Sequence, residues 1–151
     1  AKTVVPMIVS PGRSEGLPAP ENVMTALVSV ESSFRANQVS PQGAKGPAQI
    51  LPGTAQDIAD RSNLGFTRDE ILNDPEKNIM GGMYYLYEVL LKRYSGPDRL
   101  KFAVAAYHGG LGNIDKARAK VTHKNDFDAV YPKLGPKTQN YVKKVMSRVK
   151  G

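Results

Sequence analysis

Apolar residues recur along this chain at helical spacing. From Glu21 to about Phe34, the residues Val23, Leu27, Val30 and Phe34 follow i, i+4, i+7 and i+11, which marks one face of a helix. Pro20 suits the first turn of that helix, where no amide donor is needed. Glu31 interrupts the face. At about 100° per residue it lies about 40° from Leu27 and about 60° from Phe34, so a carboxylate is expected on the buried side. The segment LPGTAQDIADRSN (51–63) predicts a short helix with Ala55, Ile58 and Ala59 inward. TRDEILND (67–74) predicts another, with Thr67 and Glu70 at capping-box spacing. Asp74 and Pro75 open the longest helix, roughly 75–95. Its stripe of Ile79, Met80, Met83, Tyr84, Tyr87, Leu90, Leu91 and Tyr94 reads first as core packing.

After SGPDRL comes a helix carrying Leu100, Ala103, Val104 and Tyr107, which ends at HGGLGN, where glycines permit positive φ. Shorter helices are predicted near 113–120 and 126–132. A last one, PKTQNYVKKVMSRVK, has Val142, Val145 and Val149 on one side. Two stretches lack this periodicity. Residues 1–20 hold four Pro and two Gly and read as an extended N-terminal arm or packed strap. SPQGAKGPAQI (40–50), with two Gly and two Pro, reads as a loop or small irregular hairpin. The expectation is a mainly α, single-domain fold of seven or eight short helices over 21–151, preceded by the arm.

Length agrees with this, since a chain of 151 residues buries roughly 68–70% of its unfolded surface without needing staples. There is no Cys, which excludes disulfides and thiolate chemistry, and the two His stand fifteen residues apart without ligand spacing. Neither a metal nor a cofactor is therefore expected. No apolar run approaches the roughly 18–20 residues of a membrane span, and PMIV is too short for a signal h-region, so no signal peptide is visible. The net charge of +7 attracts polyanions, although solubility explains it equally well. No RNP motif, zinc-finger spacing or Arg-rich tract points to nucleic acid, which is not an expected partner.

Glu31 carries the chemistry. Burying an ionised carboxylate beside Leu27, Val30 and Phe34 is costly, so the group should hold its proton to higher pH. A Glu raised from about 4.3 toward 6 is suited to protonating a glycosidic oxygen. The plainer alternative is a Glu bonded by amides of the following loop, or paired with Arg35.

The motifs around it decide the reading. ESSF with Ser40 nine residues after Glu31, then GAKGPAQILPGTA (43–55), AAYHGGLGNI (105–114) and KTQNYV (137–142) occur in this order. Together they resemble the lytic transglycosylases of the soluble Slt type, lysozyme-like cleavers of bacterial peptidoglycan, over roughly residues 21–146. The resemblance implies a lysozyme-like fold with 21–151 as catalytic domain, and Glu31 as acid and then base. It implies cleavage between N-acetylmuramic acid and N-acetylglucosamine with formation of 1,6-anhydromuramyl ends. Such chemistry needs no second enzymic carboxylate, and segments 40–56 and 105–113 contain none; Asp57 and Asp60 fall in the next helix and read as solvated surface.

The resemblance further implies that Ser40 and Gln49 bond sugar hydroxyl or acetamido groups, and that Leu51 walls the cleft. Tyr107 would hold the Glu31 carboxyl or stack on a sugar, with His108 and Tyr141 also contacting substrate. Ser32, Gly46, Gly109 and Gly110 would shape the backbone of the cleft. Three departures from the family pattern stand out. Pro47-Ala48 replaces Leu-Met before the Gln, His108-Gly109 replaces Asn-Ala, and Lys137 replaces an acidic residue before Thr138. The implied partner is peptidoglycan glycan strands, met by a monomer that is extracytoplasmic, periplasmic or wall-associated, or belongs to a phage. The rival readings are a hydrolytic goose-type muramidase and a non-catalytic peptidoglycan-binding module.

Overall fold

Proline sets where the helices begin. Pro20, Pro52, Pro75 and Pro136 each occupy the first turn of a helix, where a missing N–H costs nothing. The computed structural model describes residues 5–151, and residues 1–4 of the expected arm lie outside the described residues. The elements are α1 (Val5–Ile8), α2 (Pro20–Ser32), α3 (Pro52–Arg61), α4 (Arg68–Asn73), α5 (Pro75–Tyr84), α6 (Arg99–Gly109), α7 (Leu111–Arg118), α8 (Phe127–Val130) and α9 (Pro136–Arg148). The irregular segment after α2 makes only isolated antiparallel bridges, Val39 with Lys45 and Lys45 with Ile50. The fold is mainly α, with this small hairpin region where it was expected. The capping box before α4 is present: Glu70 N–H donates to Thr67 Oγ1 at 3.1 Å and Thr67 N–H to Glu70 Oε1 at 2.9 Å.

Helix α6 is the axis of the core. Leu100, Phe102, Ala103, Val104, Ala105 and Ala106 are all buried, the all-round apolarity of an enclosed helix. It packs against α9, α7 and the continuation of α5, while α2 also packs on α9. A second, smaller core of Val28, Ala48, Ile50, Ala55, Ile58, Ile71 and Leu72 joins the hairpin to α2, α3 and α4. No helix among the described residues is long and apolar enough to cross a membrane.

Three expectations are corrected. Helix α2 stops at Ser32, and Ser33 and Phe34 turn left-handed, with φ of 53° and 63°. Phe34 is consequently 59% exposed and does not cover Glu31. The longest helix is not uniform: α5 passes into a π-helical stretch at Tyr85–Leu90 and a 3-10 turn at Leu91–Arg93. The inserted turn lets the helix keep its apolar stripe inward while Tyr85 meets Tyr107 edge-on, ring centroids 5.9 Å apart. Of the two readings of 1–20, the described part takes that of a packed strap and not of an extended arm: it forms one helical turn and further turns, with Ile8 and Val9 buried against the core. Ser10 N–H and Oγ donate to the Glu88 carboxylate at 3.0 and 2.6 Å, and Arg13 Nε reaches it at 3.4 Å.

Candidate active site

The last turn of α2 delivers Glu31 and Ser32 to the hairpin. Ser32 is buried, its Oγ 2.8 Å from the Pro47 carbonyl and 3.2 Å from that of Val28, so it ties the helix end to the loop. Beneath the loop sits Asn78, 0% exposed. Its Nδ2 donates to the carbonyls of Lys45 and Ile71, each at 2.9 Å, and its Oδ1 accepts from Ala48 N–H at 2.7 Å. A buried amide satisfied at three points fixes a loop that regular structure does not. Gly46 belongs to the same arrangement. At φ +82° it is left-handed, and a Cβ there would stand 2.5 Å from the Asn78 side chain. Its missing side chain serves Asn78, and Gly46 does not line the cleft of Glu31.

That cleft is about 580 Å³ and is walled by Glu31, Ser40, Gln49, Leu51, Tyr107, His108 and Lys137, among others. A second cavity of about 220 Å³ shares Gln49, Leu51, Tyr107 and His108 and continues past Thr54, Tyr85 and Gly110. The two form one groove. Leu51 is 44% exposed, an apolar side chain left on the groove wall. Ser40 Oγ accepts from Ala44 N–H at 3.0 Å. Gln49, itself left-handed at φ 50°, spends its Nε2 on the carbonyls of Gln38 and Gly46 at 3.0 and 2.9 Å. Its amide nitrogen thus braces the loop, and only its carbonyl oxygen is left for a ligand.

The hold on Glu31 expected of Tyr107 falls to Tyr141, while Tyr107 lines the groove. The Tyr107 hydroxyl donates to the Ala48 carbonyl at 2.7 Å, holding the hairpin to α6. Tyr141, 6% exposed on α9, donates to Glu31 Oε2 at 2.8 Å from behind the carboxyl. It braces Glu31 instead of lining the groove. Burial pushes the Glu31 carboxyl from its ordinary 4.5 up to about 7, although the Tyr141 bond pulls the other way. Burial first, then the nearby Glu31, holds both phenols well above their usual range, so each remains a proton donor.

His108 stacks on the Tyr141 ring at 4.6 Å and 22°, with Nδ1 3.2 Å from Thr138 Oγ1. His108 is exposed on the groove side, and partial desolvation of its ring, then the Lys137 cation, push its pKa down. Gly109 lies where a Cβ would be 2.8 Å from Thr138 Oγ1, so it admits close packing of α6 on α9. Gly110 forms the junction between α6 and α7 and borders the smaller cavity.

Sequence reasoning missed Asn78 and Gly82. A Cβ on Gly82 would be 2.8 Å from the Tyr107 hydroxyl and 2.9 Å from Ala48 Cβ, so its absence seats both. The visible signal was a polar and small face, Asn78-Gly81-Gly82, on an otherwise apolar helix. Among the described residues no cluster of His, Asp and Glu is arranged to hold a metal. What the site offers is one carboxyl that keeps its proton up to about pH 7, held by a phenol and open to a groove.

The model of the Transglycosylase SLT domain family matches residues 13–130. The soluble lytic murein transglycosylase of Escherichia coli is 31% identical over 136 residues, 89% of this chain and 21% of that protein. The membrane-bound lytic murein transglycosylase F of Maricaulis maris is 34% identical over 110 residues, 70% of this chain and 22% of that protein. The crystal structure of the 70 kDa soluble lytic transglycosylase Slt70 from Escherichia coli superposes with a TM-score of 0.74 at 31% identity, covering 90% of this chain and 22% of that one. The chain thus spans about a fifth of the length of these relatives.

Proposed function

The chain belongs to the Transglycosylase SLT domain family, and from that membership we propose that its groove cleaves peptidoglycan as a lytic transglycosylase. The bond broken is the β-1,4 link between N-acetylmuramic acid and N-acetylglucosamine. The observation that carries this reading is Glu31, a carboxyl raised to about 7 on the wall of a groove lined, among the described residues, by no second carboxylate.

Glu31 first gives its proton to the glycosidic oxygen as the bond to the muramyl C1 breaks. The resulting carboxylate then takes the proton of the muramyl C6 hydroxyl while that oxygen bonds to C1. Glu31 ends protonated, no water is consumed, and the product is a 1,6-anhydro sugar. The internal hydroxyl is already tethered beside C1, so it competes with water at high effective concentration. Tyr141 fixes the rotamer of Glu31 and stabilises it while it is ionised. Ser40, the Gln49 carbonyl, Leu51 and His108, which line the groove, are assigned to contacts with its sugars. We assign the catalytic unit to 21–151, working as a monomer on the wall, outside the cytoplasm or as part of a phage.

Mass spectrometry of muropeptides released from purified sacculi tests the reaction. Anhydro ends are expected, whereas reducing ends would favour the goose-type hydrolytic alternative. Glu31→Gln should abolish lysis and keep sedimentation with insoluble peptidoglycan; lysis at the original rate would remove Glu31 from its role. Sedimentation without lysis by the unaltered protein would leave only a binding module.

A further inference from the structure

Among the described residues, Lys137 is the one permanent charge on the groove. Besides Lys137, the two cavities are lined by Glu31, by His108 and, among the described residues, otherwise by polar and apolar side chains without charge. Glu31, raised to about 7, is only partly ionised at neutrality, and the lowered His108 offers no negative charge, so Lys137 has no full counter-charge among the described residues of the groove. Among the described residues Lys137 enters no ion pair and no side-chain hydrogen bond is made by its Nζ, although five such pairs occur elsewhere. Helix stability does not account for it. It stands in the first turn of α9, which has no acidic residue, and a cation at that end opposes the helix dipole. Packing does not account for it either, since the residue is exposed.

We propose that Lys137 is a specificity-determining residue that pairs with a substrate carboxylate, so that the groove selects anionic glycan strands over neutral ones. This rests on the glycan-cleaving reading above. N-acetylmuramic acid differs from N-acetylglucosamine by a 3-O-lactyl branch. In peptide-free strands that branch ends in a free carboxylate; in peptide-bearing strands it is an amide leading to a peptide with carboxylates of its own. Both sources present the same group, a carboxylate on a branch of the muramyl ring. Lys137 lies on the His108 side of the groove, close enough for its charge to act on that imidazole. A branch carboxylate in that position would complete the charge balance that the protein leaves open.

The test measures binding without turnover, in chains carrying Glu31→Gln, with Lys137 retained or replaced in Lys137→Gln and Lys137→Arg. Three substrates are compared: peptide-free strands with free lactyl carboxylates, the same strands with those carboxylates converted to primary amides, and peptide-bearing strands. For a solvent-accessible ion pair, Lys137→Gln is expected to raise Kd about two- to fivefold on a carboxylate-bearing substrate, with a shallower salt dependence. Lys137→Arg should restore binding, and the amidated strands should not respond. A loss on the first substrate assigns the lactyl acid as partner; a loss on the third alone assigns the peptide. An equal loss on amidated strands, or no loss on any substrate, overturns the proposal. Failure of the unaltered protein to form anhydro ends would instead count against the reaction, while this binding comparison would still report on Lys137.

Discussion

Replacing Glu31 by Gln removes an ionisation that the fold opposes, so the substitution is expected to stabilise the protein in a pH-dependent way. Glu31 titrates at about 7 in the folded chain against an ordinary value of 4.5. Between those values the folded state holds its proton and the unfolded state has lost it. Folding stability therefore falls as pH rises through this window, and the loss is complete above it. At 1.36 kcal/mol per pH unit the full gap corresponds to roughly 3 kcal/mol. Because one side of the carboxyl opens onto the groove, about 2–3 kcal/mol is the expected penalty. Gln has nearly the same shape, its carbonyl can still accept from Tyr141, and it does not titrate. The stability difference between Glu31→Gln and the unaltered chain should therefore grow by about 2–3 kcal/mol from about pH 4 to about pH 8. In a domain of this size that is roughly 5–10 °C in Tm. Urea titrations followed by far-ultraviolet circular dichroism at several pH values measure it. Taking the difference between the two chains cancels every other titrating group. A difference that stays flat with pH, or that shrinks as pH rises, would mean that Tyr141 and water solvate the carboxylate fully. Glu31 would then enter neutral solution already ionised and could not act as the acid.

Further outcomes follow from the same contacts. Tyr141→Phe deletes the bond that holds the Glu31 carboxyl down, so the alkaline limb of the lytic pH profile should move up by about one unit while the maximal rate falls; an unmoved limb would take Tyr141 out of contact with the acid. Asn78→Ala leaves the Ala48 amide and the Ile71 carbonyl unpaired under the hairpin and takes from the Lys45 carbonyl one of its two donors, the other being Ile50 N–H, which should cost about 3 kcal/mol in urea unfolding. Gly46→Ala brings a methyl group to 2.5 Å from Asn78 at a left-handed φ, and should cost about 1–3 kcal/mol for the backbone alone. Because the two residues share one contact, the double variant should lose less than the sum of the two singles, which a double-mutant cycle reads directly.

Much of the fold was legible because its information is local. The prolines at 20, 52, 75 and 136, the Thr67–Glu70 cap and the period of the apolar positions act within one or two turns of the residues concerned. Where a local rule met a tertiary one, it failed. Phe34 fits the helical period at i+11, yet the chain turns left-handed at Ser33 to bring the hairpin over α2, and the aromatic ring is carried outward. The π-helical turn at Tyr85–Leu90 leaves no mark in the spacing of the stripe; it lies where the continuation of α5 packs against α6.

The candidate site divides in the same way. By itself the sequence determined that a carboxylate would stand at the end of an apolar helix face, before an irregular loop and with no second acid nearby, since composition and order suffice for that. It did not determine what holds the carboxylate. Tyr107 and Tyr141 are alike as residue types, and only the crossing of α9 behind α2 decides that Tyr141 reaches Glu31 while Tyr107 is spent on Ala48. Asn78 under the loop likewise acquires meaning through Ala48 and Lys45, 30 and 33 residues away, and Lys137 through its place on the groove wall. Helices are chosen by neighbours along the chain, whereas hydrogen-bond partners and local solvent exclusion are chosen by neighbours in space.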